Sequence, residues 1–321
     1  MTDQERQIIR IGTRDSKLAR LQTDRTIASL IKCYPNLQCE IATVTTSGDR
    51  VLNRPIAEVG TSGVFVKELE EALLREEVDL VVHSLKDLPT DLAPALALAA
   101  VLDREDPRDV LVSHNHVAFA DLPPGARVAT SSRRRTAQLR FVRQDLTFVD
   151  IRGNIPTRLQ KQDQGHCDAM VLAAAGLIRL GATDRVTEYL DTAVITPAVG
   201  QGALAVECRS DDRLIRRLLE QIDDHLVRAQ VTAERSFLGE LGGGCSVPVG
   251  ALATITAQGT LSLTGCVCAV DGSKAFRASM EAPLGEAVRL GINLAGQLMD
   301  MGAGEVLQQL KVLASHMVSP P

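Results

Sequence analysis

Cys245 directly follows three glycines, Gly242, Gly243 and Gly244, and precedes Ser246-Val247-Pro248-Val249-Gly250. Glycine has no Cβ, so such a run makes a loop that can bend sharply and let a bulky group approach. A buried cysteine behaves as a small hydrophobe within a strand or helix; a thiol on a glycine loop is displayed, ready to react or to carry an attached group. On these residues alone, a turn whose cysteine points inward is the alternative. A second set is arginine. Thr130-Ser131-Ser132 leads into Arg133-Arg134-Arg135 where a strand meets a helix, Arg14 follows the first strand, and Arg152 ends another. Arg158 lies in the helix start after that strand, and Arg179 follows a further strand. Helix N-termini present free N–H groups and a positive dipole end, arginine adds a bidentate grip on carboxylate or phosphate, and open α/β sheets bind ligands beyond the carboxyl ends of their strands. The pattern implies a cleft for a small polyanion. Solvated helix ends are the competing explanation, and Arg140 and Arg143 are assigned to it.

A third motif is Ser84-Leu85-Lys86-Asp87, again at a strand end. A neighbouring cation keeps a carboxylate ionised, and an ionised carboxylate can stabilise a developing positive charge or hold an N–H donor. Taken alone, the pair reads as a surface ion pair of little energetic worth. Gly60-Thr61-Ser62-Gly63-Val64-Phe65 leads into a helix and could be an anion loop or a glycine-hinged lid; it lacks the Gly-Lys-Ser/Thr ending of a P-loop.

Composition narrows the classes. The 321 residues suffice for two or three domains. A net charge of −5 argues against a general nucleic-acid binder, and an aromatic content of 2% with no Trp offers few stacking platforms for single strands. The seven cysteines are odd in number, irregularly spaced and free of any C-x-x-C pair, so they form no disulfide framework. Cys266 and Cys268 share one face of a strand and read as core. His114 and His116 lack a third ligand nearby, so no metal site is expected. The first ten residues lack the apolar stretch of a signal peptide, and the apolar run from Ala93 to Leu102 is too short to span a bilayer. The expectation is a soluble, cytoplasmic chain.

The elements that must position these residues alternate. Strands are expected at Ile8 to Thr13, Leu37 to Thr46, Asp79 to Ser84, Val110 to Ser113, Arg127 to Thr130, Thr147 to Ile151, Ala169 to Leu172 and Ala203 to Val206. Helices are expected from Ser16, as N-cap, to Cys33, with Leu18, Leu21, Ala28 and Ile31 near one face, then around Phe65 to Leu73, Arg133 to Arg143, Pro156 to Gln164 and Ala174 to Leu180. This alternation predicts α/β domains on mostly parallel sheets, with a crossover in the charged stretch from Asp103 to Asp109. After helices near 211–221 and 226–241, alternating strands at 251–256, 261–268 and 275–281 precede helices at 284–299 and 304–313, a small α+β domain. No internal sequence repeat is evident.

Taken together the chain resembles the porphobilinogen deaminase (hydroxymethylbilane synthase) family. Eight segments carry the resemblance in order: Ile11-Gly12-Thr13-Arg14, Phe65-Val66-Lys67-Glu68-Leu69-Glu70, Val82-His83-Ser84-Leu85-Lys86-Asp87-Leu88-Pro89, Arg104-Glu105-Asp106-Pro107-Arg108-Asp109, Thr130-Ser131-Ser132-Arg133-Arg134-Arg135, Ile151-Arg152-Gly153-Asn154, Pro197-Ala198-Val199-Gly200-Gln201-Gly202 and Gly242-Gly243-Gly244-Cys245. The resemblance implies two α/β domains like type II periplasmic binding proteins with the active cleft between them, plus a small C-terminal α+β domain. The boundaries expected are 1–103 with 200–221, 104–199, and 222–321. It implies head-to-tail condensation of four porphobilinogens with loss of ammonia, on a dipyrromethane cofactor held by a thioether to Cys245, and hydrolytic release of hydroxymethylbilane. Asp87 takes the catalytic role, stabilising the azafulvenium left by loss of ammonia. Lys86, Thr130, Ser132, Arg134 and Arg135 are implied to hold the cofactor, and Arg14, Ser16, Arg152, Arg158 and Arg179 the carboxylates of porphobilinogen and the growing polypyrrole chain. No nucleic acid, membrane or metal is implied, and the family is usually monomeric. Two departures stand out: many members carry Gly-Gly-Lys-Gly where this chain has Gly60-Thr61-Ser62-Gly63 and a lysine where it has Glu58, and Arg133 replaces a usual apolar residue and is expected to face outward. The rival readings are a non-catalytic binding-protein-like module for a small polyanion, which leaves Cys245 and Asp87 without a task, and a nucleic-acid protein resting on Arg133 to Arg135.

Overall fold

A computed structural model describes residues 8–46, 66–242 and 247–309. The loop from Gly60 to Phe65, Glu58, and Gly243 to Ser246 with Cys245 lie outside the described residues.

The chain divides into two compact units. Unit 1 comprises Met1–Asp106, Ala175–Thr183 and Gln201–Arg228, and unit 2 comprises Pro107–Ala174, Asp184–Gly200 and Ala229–Pro321. Unit 1 is built on strands β1 (Ile8–Thr13), β2 (Gln38–Thr43), β3 (Leu80–Ser84), β4 (Leu96–Val101) and β10 (Leu204–Arg209), in the order β2-β1-β3-β10-β4. Strand β1 runs parallel to β2 and β3, while β10 is antiparallel to both β3 and β4. In unit 2, β5 (Asp109–Ser113), β6 (Arg127–Ala129), β7 (Thr147–Val149), β8 (Ala169–Ala173) and β9 (Glu188–Tyr189) form a sheet in the order β7-β6-β8-β5-β9. Here β6 is parallel to β7 and β8, and β5 is antiparallel to β8 and β9. The two sheets therefore share one topology: second, first, third, a reversed strand, fourth. The architecture repeats where the sequence does not, because a fully buried strand such as Leu80-Val81-Val82 or Met170-Val171-Leu172 requires only apolar residues of suitable size.

Unit 2 also holds an antiparallel meander, β11 (Val249–Ile255), β12 (Leu261–Cys268) and β13 (Ala275–Ala282). Helices α7 (His225–Glu240) and α8 (Ala287–Leu298) share its core through Ala233, Phe237, Leu290, Leu294 and Leu298. Cys266 and Cys268 are buried with their sulfurs 3.6 Å apart, beside Ala137.

Strand β4 was not expected; it is the middle of the short apolar run from Ala93 to Leu102, paired along β10. The 17-residue helix α1 (Lys17–Cys33) forms where expected, its N-cap Ser16 accepting from the Ala19 N–H at 3.2 Å. Its buried face differs from the expected one: Ala19, Gln22, Thr23, Thr26 and Leu30 are inside, while Ala28 and Ile31 are exposed. The polar members can be buried because the Thr23 and Thr26 hydroxyls donate to the Ala19 and Gln22 carbonyls, and the Gln22 amide reaches Ser84 Oγ at 2.8 Å. Four further helices are α2 (Lys67–Leu74), α3 (Arg133–Val142), α4 (Ile155–Asp163) and α5 (Ala174–Leu180), and α6 (Arg213–Glu220) precedes α7.

Candidate active site

In unit 1, β1 and β3 are adjacent and parallel, with Ile11 opposite Leu80 and Gly12 opposite Val81. Their carboxyl ends therefore emerge on one edge, bringing Arg14 and Ser16 to the same side of the sheet as Lys86 and Asp87. The latter two sit in a single turn of 3-10 helix, Leu85–Asp87. Leu85 and Leu88 are buried on either side, the Leu85 N–H donates to the Ala203 carbonyl at 3.0 Å, and the Leu88 N–H to the Leu85 carbonyl at 3.0 Å. The turn is thus pinned at both ends while Lys86 and Asp87 stay half-buried. Lys86 Nζ lies 3.5 Å from Gln201 Oε1. Ser16 Oγ accepts at the α1 N-terminus and keeps its O–H as a donor.

Arg179 does not sit directly at a strand end. It is in the last turn of α5, and residues Ala175–Thr183 pack with unit 1. One of its Nη groups donates to the Gly202 carbonyl at 2.6 Å. Gly202 has φ +92, and a Cβ there would meet the Glu105 carbonyl, so only glycine fits. Arg179 Nε is buried without an acceptor among the described residues. Burial, reinforced by Arg25, pushes this guanidinium down to about 10, with Glu105 and Asp103 opposing. It remains a cation at neutral pH, in surroundings that would favour an added anion.

In unit 2, the parallel pair β6 and β7 delivers two loops to one edge, Thr130 to Arg135 and Arg152 to Arg158. Side chains stitch these loops together. The Thr130 N–H donates to the Val149 carbonyl at 2.9 Å, and Ser131 Oγ donates to the Ile151 carbonyl at 2.6 Å. Thr130 Oγ1 accepts from the Ser132 N–H, and Ser132 caps α3 by accepting from the Arg135 N–H. Asn154 caps α4, accepting from the Thr157 N–H at 3.0 Å. Arg152 Nε faces Asp150 at 3.3 Å, and Arg158 Nε donates to the Gly153 carbonyl at 2.7 Å.

Arg134 and Arg135 are buried, not extended into solvent. Both converge on Asp109, itself fully buried: Arg134 Nη1 at 2.7 Å from Oδ2, and Arg135 Nε and Nη2 at 2.9 and 2.7 Å from Oδ1. Arg134 also donates to the Thr196 carbonyl and Arg135 to the Val171 carbonyl. Burial lowers the Arg135 pKa, opposed first by Asp109. Arg134 Nε is left buried with no acceptor among the described residues. Asp109 is the residue that reasoning from the sequence missed. The sequence places it at the end of a charged crossover and of one motif segment, with no role assigned; it is the first residue of β5. Arg133 is exposed, as expected. Arg143 is no solvated helix end: it donates to the carbonyls of Phe119, Ala120 and Leu122 and pairs with Asp145. Among the described residues no group of three His, Cys, Asp or Glu side chains could hold a metal ion, and no helix is long and apolar enough to cross a membrane.

Residues 9–217 match the family model for "Porphobilinogen deaminase, dipyromethane cofactor binding domain", and residues 228–300 match "Porphobilinogen deaminase, C-terminal domain". A porphobilinogen deaminase of Syntrophobacter fumaroxidans is 46% identical over 310 residues, covering 97% of this chain and 99% of that protein. Those of Geobacter sulfurreducens and a Roseiflexus species are 45% and 47% identical over 302 residues, covering 94% of this chain and 94% and 99% of theirs. Among solved structures, the methionine binding protein MetQ aligns with a TM-score of 0.44 at 13% identity, over 67% of this chain and 90% of that one.

Proposed function

The chain belongs to the porphobilinogen deaminase family, and we propose that it is the hydroxymethylbilane-forming transferase of porphyrin biosynthesis, with Cys245 as the attachment point of its dipyrromethane. When bound, that group supplies the primer to which pyrrole units are added. Porphobilinogen is the substrate. The residues present fit such ligands, since pyrrole rings bearing acetate and propionate need many cationic donors. The buried N–H groups of Arg134 Nε and Arg179 Nε, lacking acceptors among the described residues, carry this reading. An unpaired buried donor costs about 1–3 kcal/mol, which an incoming carboxylate would recover.

The roles divide by edge. On unit 1, Asp87 in its pinned turn is the catalytic carboxylate. It accepts hydrogen bonds from pyrrole N–H groups, stabilises the cation left when ammonia departs, and orients the next ring. Lys86 holds primer carboxylates, and Arg14, Ser16 and Arg179 hold substrate carboxylates. On unit 2, Thr130, Ser132, Arg134 and Arg135 hold the primer. Arg135 has its Nε and both Nη groups engaged with Asp109 and Val171, so its contribution is mostly the placement of positive charge, whereas Arg134 retains a donor for direct contact. Arg152 and Arg158 hold carboxylates of the growing chain. The three-domain division at 103, 199 and 221, a monomeric state and a cytoplasmic location belong to the same proposal.

Intact mass of the denatured protein purified from cells is the test. An excess equal to two porphobilinogens less two ammonias, absent from Cys245→Ser, is the expected result. A chain that gains no such mass even after incubation with porphobilinogen would overturn the proposal and favour a non-catalytic binding module.

A further inference from the structure

Glu234 is fully buried in the middle of α7, and no part of the reaction described above uses it. A carboxylate with 0% exposure is costly unless hydrogen bonds satisfy it. Its two oxygens reach two separate stretches of chain. Oε1 accepts from the Ala253 N–H in β11 at 2.8 Å, and Oε2 accepts from the Gly200 N–H at 2.7 Å. These are short, charge-assisted bonds. Its neighbours Ala233 and Phe237 on the same helix are buried in the core of the meander.

The placement matters because of what α7 and β11 flank. Helix α7 ends at Glu240, buried Leu241 and Gly242 at φ +62 follow, and the described chain resumes at Val247 before β11 begins at Val249. The segment bearing Cys245 is thus bounded by these two elements, and the Glu234 carboxylate ties one to the other. The same group fixes Gly200, the last residue of the crossover that returns from β9 toward β10. That crossover is held closely against β11: the Ala251 N–H donates to the Pro197 carbonyl at 3.0 Å, and a Cβ on Gly250 would come within 2.5 Å of the Thr196 carbonyl.

We propose that Glu234 is a positioning residue for the reaction: one carboxylate sets the spacing of the two elements that flank the segment bearing Cys245 and locks both to the return crossover. The inference rests on the reading that Cys245 carries the primer. Reactions between held groups lose rate steeply with small displacements, so the effect falls on primer attachment before it falls on folding.

The test compares full-length wild type, Glu234→Gln, Glu234→Asp and Leu294→Ala, each produced without primer. Leu294 is fully buried in the same core and touches none of these hydrogen bonds, so its variant matches a loss of stability without the loss of alignment. Glutamine offers one acceptor where two N–H groups point, and aspartate is too short to span both. Thermal midpoints and the rate of mass gain on adding porphobilinogen are measured at a temperature where the variants are folded. The expected result is attachment slowed about ten-fold or more in a folded Glu234 variant and unchanged in Leu294→Ala. Attachment at the wild-type rate in a folded Glu234 variant would overturn the proposal, as would equal slowing in Leu294→Ala, or failure of both Glu234 variants to fold. If wild type itself gains no mass, the reading of Cys245 fails instead.

Discussion

At the scale of single residues, the site separates groups that are placed from groups that are used as braces. Asp87 is placed: its turn is pinned by Leu85 and Leu88, so a change at position 87 alters the carboxylate without moving the backbone. Asp87→Ala should therefore fold and take up primer yet lose roughly 10²–10³-fold in kcat, which steady-state turnover of the primer-loaded variant would measure; near-normal turnover would remove Asp87 from the chemistry. Arg152→Leu should stall elongation, seen as partly extended species by mass, and a normal product distribution would make it peripheral. Two of the other thiols, Cys167 and Cys208, are poor nucleophiles. Burial raises Cys167 to about 11 and Cys208 to about 12, so both are un-ionised near neutral pH, and the thiolate is the nucleophile. In the folded chain at a pH roughly one unit below an ordinary thiol pKa, a small alkylating agent should spare both; equal labelling of Cys208 and exposed Cys33 would contradict that.

At the scale of elements, Asp109 shows how a strand holds a helix. Its carboxylate anchors Arg134 and Arg135 on the first turn of α3 and so fixes where that helix begins. Asp109→Asn would leave two buried guanidiniums short of their counter-ion, a loss of about 3–5 kcal/mol visible as a large drop in denaturation midpoint. An unchanged midpoint would mean the arginines find other partners. Local signals made most elements legible beforehand. Ser16 marked the start of α1, apolar runs marked β3 and β8, and alternation marked β11 to β13. What local signals could not reveal was anything decided across the sheet. The buried face of α1 depends on a Gln22 to Ser84 bond between residues far apart in sequence, and the Arg134–Arg135–Asp109 cluster joins positions 25 and 26 apart. The surface expectation for Arg143 fails because its carbonyl partners lie in a single short 3-10 turn and its cap, 119–122, too short to leave a periodic signature. For the site, the motif residues were legible by type and order, and the expected boundaries divide them between the two sheets as the chain does, except for Arg179, which lies in unit 1.

At the scale of the whole molecule, the two sheets share a plan in which one reversed strand sits between the third and fourth. In unit 2 that strand, β5, comes first in the chain; in unit 1 it is β10, which comes last. The difference has a consequence for how the protein is made. Strands β5 to β9 are all present once residue 189 has left the ribosome, so the second sheet can close from a contiguous stretch of nascent chain. The first sheet cannot, because β3 and β4 have no direct pairing and wait for β10, residues 204–209, to fill the gap. Synthesis order and sheet completion are thus inverted: the sheet whose strands begin the polypeptide is the later of these two to close, and until then the inner edges of β3 and β4 stand open to wrong partners.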